Sequence, residues 1–507
     1  MKKQKPMGRG AGILLPVTSL PSPYGIGSFG AAAYEFVDFL VQAGQRYWQV
    51  LPLGPTSYGD SPYQSFSAFA GNPYFIDLLL LQEQGLLTQD ELNQADFGSD
   101  PTDINYAKLY EERYPVLRLA FARSTHQSSD EYQSFCSENE AWLEEYCLYM
   151  ALKTTFGGKE WLAWPEELRM RQPEALQTAA KKLKSEIEFW KFCQFAFFQQ
   201  WFRLKQYANE RGVEIIGDIP IYVALDSADV WAQHEQFQLD EQRRPTHVSG
   251  VPPDMFSKTG QLWGNPLYDW DYMKQDGFSW WKKRMQFLAQ LYDVIRIDHF
   301  VGIAHYYSIP AEEKSAMNGQ WNPGPRKPLL EAISSVMGNK RVIAENLGVV
   351  IPEVDRLLAV SGYPGMKLLQ FAFDGGKNNT NLPYRFEKNQ VIYGGTHDNE
   401  TLVGFFKHQK RKDLQFARDY LNVTKNKDIP AALMRAGYAS VADTAIFQMQ
   451  DILGLDNAAR TNTPSTLGQN WRWRLLPGQI TAELAGELRH TMILYGRYPE
   501  EETHESV

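Results

Sequence analysis

Four apolar runs that each close on an acid, with intervening stretches long enough for helices, predict a (β/α)8 barrel for this chain. The runs are Val213-Glu-Ile-Ile-Gly-Asp218, Val294-Ile-Arg-Ile-Asp298, Arg341-Val-Ile-Ala-Glu345 and Val391-Ile-Tyr-Gly-Gly-Thr-His397-Asp398. In such a barrel the chemistry lies at the C-terminal rim, on residues supplied by several strands. Acids at successive strand ends therefore share one site. The chain length, 507 residues, suits a single barrel with insertions. The recurrence is of strand grammar only, with no fixed sequence period.

Eight strands are expected, in order, at Gly12–Leu15, Tyr47–Leu51, Val213–Ile216, Val294–Ile297, Val342–Ala344, Met366–Phe371, Val391–Tyr393 and Ala445–Met449. The first follows a basic start that imitates a signal peptide. Pro16 breaks the apolar stretch, however, and no A-x-A-like site follows, so a cytoplasmic protein is expected. The gap between the second and third strands far exceeds an ordinary loop. Phe192, Phe195, Phe198 and Phe202 fall on one helical face there, as core packing, and Arg211-Gly212 supplies a helix stop. Residues 78–205, charged and rich in Gln and Glu through Lys184, are expected to form an inserted helical subdomain. Residues 220–290, crowded with Gly, Pro, Trp, Tyr and Asp, form a second insertion, with residues 250–268 as a substrate-covering loop. The eighth strand is ambiguous, since Val441–Leu453 reads equally well as helix.

Hydrophobic residues at 43% and charged residues at 22% describe a globular chain with ample core. The net charge of -9 argues against nucleic acid, which demands clustered cations. Lys181-Lys182 and Lys282-Lys283-Arg284 read as solvated helix faces. Cys136, Cys147 and Cys193 lack metal-ligand spacing and read as thiols in a reducing compartment. No apolar run approaches the ~18 residues of a membrane span, so no membrane partner is expected.

Arg296 and Asp298 are two residues apart, so on a strand they share a face. A guanidinium beside a carboxylate favours the charged form, which suits a nucleophile in sugar chemistry. The bland alternative is an ion pair that pins the strand end. Two loops weigh against it. Ser57 to Tyr74 and Pro252 to Tyr268 combine aromatics, glycines and hydroxyl-bonding side chains. Sugars present C–H patches and rings of hydroxyls, so these loops and the rim acids together describe a carbohydrate groove. His397 and His305 invite a metal reading, but a His beside Asp in a sugar site is more often a hydroxyl donor. No phosphate loop, metal cluster or Cys–His pair stands out, so neither metal nor cofactor is expected.

These motifs also carry a resemblance. Leu14-Leu-Pro-Val-Thr-Ser-Leu-Pro21, Gly54-Pro-Thr-Ser-Tyr-Gly-Asp-Ser-Pro-Tyr63, Gly260-Gln-Leu-Trp-Gly-Asn-Pro266, Arg296-Ile-Asp-His-Phe300, Ala344-Glu-Asn-Leu-Gly348, Gly395-Thr-His-Asp-Asn-Glu-Thr401, Arg460-Thr-Asn-Thr-Pro464 and Asn470-Trp-Arg-Trp-Arg474 resemble the amylomaltases. These disproportionating enzymes, or 4-α-glucanotransferases, belong to the α-amylase-like clan of glycoside hydrolases. The resemblance implies a barrel without a C-terminal β-domain of the amylase type. It implies Asp298 as nucleophile, Glu345 as general acid/base and Asp398 as transition-state stabiliser. Arg296, His299 and His397 would surround the sugar, while Asp254, Phe256, Gln261 and Trp263 would lie on a mobile loop. Tyr63 and Asn462 would also contact substrate, and Tyr58 matches an aromatic of a second glucan site. Gly468-Gln-Asn-Trp471 departs from the pattern, in which Gly and Asn adjoin.

The expected partners are α-1,4-glucans, bound by a monomer or weak homo-oligomer. A retaining double displacement needs two carboxyls roughly 5 Å apart, which adjacent strand ends supply. The rim acids alone serve water and sugar acceptors equally. An amylase-type hydrolase therefore stands as the alternative to a transferase, with a non-catalytic glycan-binding protein third. The resemblance, not the spacing, favours transfer.

Overall fold

The computed structural model describes residues 3–57, 59–253, 257–348 and 351–499. Eight parallel strands close into a barrel and follow one another around it in chain order. They are β1 (Gly10–Leu14), β2 (Tyr47–Gln49), β3 (Glu214–Ile219), β4 (Val294–Ile297), β5 (Arg341–Ala344), β6 (Gly365–Leu368), β7 (Gln390–Tyr393) and β8 (Thr444–Gln448). Closure comes from β8 against β1, with Gly10 opposite Thr444. Every expected strand is present, and β4 has the expected bounds.

The differences have local causes. The third strand runs on to Ile219 rather than stopping at Ile216, because Gly217–Ile219 pair with Ile295–Ile297 of β4. Asp218 thus lies within the strand, opposite Arg296. The sixth strand stops at Leu368, and Leu369–Phe371 tighten into a 3-10 turn. The ambiguous 441–453 segment contains both elements: β8, then a short helix at Met449–Ile452.

Alternation along each strand divides the core into two layers. Leu14, Tyr47, Ile216, Val294, Ile343, Met366, Val391 and Ile446 point inward and fill the barrel, joined by Met7 from the preceding segment. Their neighbours Ile13, Trp48, Ile215, Ile295 and Val342 face the helices outside. The barrel is therefore a packed support rather than a pore.

Between β2 and β3 the described chain is largely helical, including Tyr106–Arg123, Asp130–Thr155 and Lys184–Glu210. The last of these ends at Arg211, with Gly212 at φ 76°, a backbone conformation that glycine adopts without strain. Its phenylalanines do not all pack inward. Phe192 and Phe198 are buried, Phe195 is half-buried, and Phe202 is 39% exposed. Phe197 and Trp201 are buried in its stead, because this helix is covered by the barrel layer and by Asp130–Thr155 together.

Between β3 and β5 stands an antiparallel sheet ordered Gln261–Pro266, His247–Val251, His305–Pro310, Gln320–Pro323. Two of its strands precede β4 and two follow it. Arg284 corrects the expectation of a solvated basic face. It is 2% exposed, and its guanidinium donates to the carbonyls of Pro220 and Ile221 just past β3. No helix among the described residues is long and apolar enough to cross a membrane.

Candidate active site

β4 and β5 pair with Ile297 opposite Ala344, so Asp298 and Glu345 leave adjacent strands side by side. Neighbouring strands lie about 4.8 Å apart, the spacing on which a retaining carboxyl pair depends. Main-chain bonds fix the junction. Glu345 N donates to Ile297 O at 3.0 Å, Phe300 N to Glu345 O at 3.0 Å, and Asp298 N to Ile219 O at 2.9 Å.

Arg296 projects from β4 into the barrel mouth and is 2% exposed. Its Nη1 donates to both carboxylate oxygens of Asp218, at 2.6 and 2.7 Å, and to Asp298 Oδ1 at 2.9 Å. The expected Arg296–Asp298 pair is thus present, with Asp218 as a further partner. Asp218 was legible as one of the strand-end acids, but its place inside the barrel required the longer β3. It is fully buried, and the Tyr63 hydroxyl donates to its Oδ2 at 3.0 Å.

Glu345 is held from two sides. His299 N donates to Oε2 at 2.8 Å and Leu347 N to Oε1 at 2.7 Å. Burial first, and the Asp298 charge second, push its carboxyl up to about 7 against the opposing pull of Arg296 and the two amides. The His299 amide reaches Glu345 because His299 adopts φ 53°, a left-handed conformation uncommon for histidine. Its ring is half-buried, meets Trp263 edge-on at 4.7 Å, and keeps a buried Nε2 without a partner among the described residues. Burial lowers its titration to about 4, so the imidazole is neutral near pH 7.

Asp398 follows β7 and the glycines Gly394 and Gly395. Asn462 Nδ2 donates to its Oδ1 at 2.6 Å, while His397 Nε2 lies 3.4 Å from Oδ2. Burial alone would raise this carboxyl; the charge and hydrogen bond of His397, with the Asn462 bond, bring it down to about 2. Tyr63 stacks on the His397 ring at 4.9 Å with a 19° tilt, and Trp471 lies 5.9 Å from both rings.

The structure therefore brings Asp298, Glu345, Asp398, Arg296, His299, His397, Tyr63, Trp263 and Asn462 to one rim. Gln261 reaches it indirectly, its Oε1 accepting from Trp263 Nε1 at 3.1 Å. Asp254, Phe256 and Tyr58 lie outside the described residues. His305 faces Arg326, whose Nη2 lies 3.0 Å from its Nε2, an unsuitable neighbourhood for a cation. Trp471 was missed as a site residue although it lies in a quoted motif. The departure at Gly468–Trp471 is accommodated by Asn470, which accepts from Thr463 N at 2.9 Å and donates to Thr466 O at 2.9 Å. Trp471 N then donates to Thr461 O at 2.7 Å, returning the chain beside Asn462.

Two neighbouring carboxyls, one held by a guanidinium and one able to hold a proton near neutrality, sit beside an aromatic floor and a third acid. That set is equipped to cleave and re-form glycosidic bonds. A family model described as 4-alpha-glucanotransferase matches residues 15–480. The chain is 46% identical over 483 residues to a 4-alpha-glucanotransferase of Clostridium butyricum, covering 95% of this chain and 99% of that one. Identity to a 4-alpha-glucanotransferase of Thermus thermophilus is 47% over 492 residues, covering 95% and 97%. Among solved structures, the amylomaltase from Streptococcus agalactiae in complex with acarbose superposes with a TM-score of 0.94 at 41% identity, covering 97% of this chain and 100% of that one.

Proposed function

The chain belongs to the 4-alpha-glucanotransferase family, and from that premise we propose how its barrel rim transfers α-1,4-glucan segments. Asp298 attacks the anomeric carbon of the bound glucan. Arg296 holds Oδ1, so Oδ2 is the oxygen offered to the sugar. As the C1–O bond breaks, Glu345 gives its proton to the departing 4-oxygen, leaving a covalent glycosyl–Asp298 ester. An incoming sugar hydroxyl then attacks the same carbon, returns its proton to Glu345, and releases Asp298. Two inversions leave the α-configuration unchanged.

The observation that carries this reading is the contrast between neighbours. Glu345 is pushed up to about 7, whereas Asp298 keeps a guanidinium at 2.9 Å. Two carboxyls with diverging environments divide into acid and nucleophile. Asp398, held ionised by His397 and Asn462, counters the oxocarbenium-like charge and binds sugar hydroxyls. Tyr63 and His397 form a stacked floor for the ring, and His299, edge-on to Trp263, lines the same groove. Trp263, with Gln261 behind it, forms a wall beside the donor. We assign Asp254 and Phe256 to the same groove and Tyr58 to a second glucan contact.

The test is incubation of the purified protein with maltotriose, with products resolved by size over time. Glucose together with maltopentaose and longer chains is the expected result. Glucose and maltose alone would mean that water takes the second step, and the transfer reading would be abandoned.

A further inference from the structure

The loop that carries Asp398 is fastened by the segment following β8. Asp451 Oδ1 accepts from Leu402 N at 2.7 Å, Asn457 Oδ1 from Thr401 N at 3.3 Å, and Asn457 Nδ2 donates to Glu400 Oε1 at 2.5 Å. Asn462 N donates to His397 O at 3.1 Å. Nearest the site, Arg460 Nη2 donates to Asp398 O at 2.7 Å and Arg460 Nε to Asn462 O at 2.7 Å.

We propose that Arg460 is a positioning residue for glucan transfer, its guanidinium bridging the main-chain carbonyls of Asp398 and Asn462 and so fixing the Asp398 carboxylate against the reacting sugar. The inference rests on the reading of Asp398 given above. Asn462 is also the residue whose side chain donates to Asp398 Oδ1. One guanidinium edge therefore sets both the acid and the amide that orients it. Arg460 makes no salt bridge among the described residues, so its two charged donors are spent on neutral carbonyls of the site loops. Bonds from a charged donor are stronger than neutral ones, and the rigid fork matches two acceptors at once where a lysine ammonium is a single flexible point. A carboxylate that acts mainly in the transition state is sensitive to such support, since a misplacement of about 1 Å costs on the order of 100-fold in rate.

The experiment is a double-mutant cycle between Arg460→Ala and Asp398→Asn. Fluoride release from α-maltosyl fluoride is followed, because that leaving group needs little protonation and keeps slow variants measurable. Rates are normalised to the fraction of protein that forms the covalent glycosyl-enzyme. Arg460→Ala alone is expected to lower kcat by about 10- to 100-fold with KM changed less than about 3-fold. Arg460→Lys is expected to recover only a small part. In the Asp398→Asn background, Arg460→Ala is expected to change kcat by less than about 2-fold. An equal loss in both backgrounds would overturn the proposal and leave Arg460 a general structural residue. A raised KM with unchanged kcat would overturn it in favour of a substrate contact. Near wild-type activity of Asp398→Asn would remove the role of Asp398 itself, and the proposal with it. Should Arg460→Ala fold poorly, Arg460→Gln supplies the same comparison.

Discussion

Arg296 gives Asp218 two hydrogen bonds, at 2.6 and 2.7 Å, in addition to the one it gives Asp298 at 2.9 Å. Asp218 is fully buried and Arg296 nearly so. The guanidinium is thus anchored from the strand beside that of Asp298, and its charge is balanced within the site. Removing one partner of a buried pair leaves an uncompensated charge, which costs about 3–5 kcal/mol. Asp218→Ala is expected to lose stability in that range by urea denaturation, and Asp218→Asn less. A loss under 1 kcal/mol for Asp218→Ala would show that Asp298 alone compensates Arg296.

Asp298→Asn keeps the size of the side chain while removing the carboxylate that the proposed mechanism uses as nucleophile. Turnover of maltotriose is expected to fall by several orders of magnitude with the thermal unfolding temperature nearly unchanged. More than a few per cent residual activity would remove Asp298 from the nucleophile role.

In the proposed mechanism Glu345 carries a proton to the leaving group, and burial with the Asp298 charge lifts its titration to about 7. The rate is therefore expected to decline on the alkaline side of neutrality. A second consequence concerns stability. The folded carboxyl binds its proton more tightly than the unfolded one, so its contribution is full below the unfolded value near 4.5 and fades as pH rises through about 7. The advantage of Glu345→Gln over the wild type in unfolding temperature should widen between pH 5 and pH 8. A constant difference would mean that Glu345 is not raised.

His299 stands at φ 53° to direct its amide at Glu345. Asparagine tolerates this left-handed conformation, whereas a β-branched side chain is strained there. Both His299→Asn and His299→Val lose the imidazole, so both should be slow. The valine variant should also be less stable than the asparagine variant by about 1–2 kcal/mol in chemical denaturation. Equal stabilities would locate the constraint outside this backbone torsion.

Much of this molecule was legible in one dimension because barrel strands are short, β-branched and punctuated by polar rims. Seven of the eight strands announced themselves, the eighth competing with a helix over residues 441–453, and the acids that end β4 and β5, with the acid that follows β7, marked the rim. Strand ends were harder. Ile216 looked like the end of β3 only because the pairing that extends it, with Ile295–Ile297, comes from a segment distant in the chain. That difference turned Asp218 from a rim residue into the buried anchor of Arg296. Phe202 and Arg284 failed for the same reason: helical periodicity says which residues share a face, but not which faces other elements will cover.

The sequence by itself determined the barrel, the order of its strands and which acids stand at the strand ends, since these follow from local hydrophobic pattern and motif. Only the tertiary structure decided what surrounds each acid. Glu345 is raised by burial beside Asp298, Asp398 is lowered by His397 and Asn462, and Arg460 reaches Asp398 from beyond β8. Proton affinity depends on distance and desolvation, and both are created when remote segments pack together.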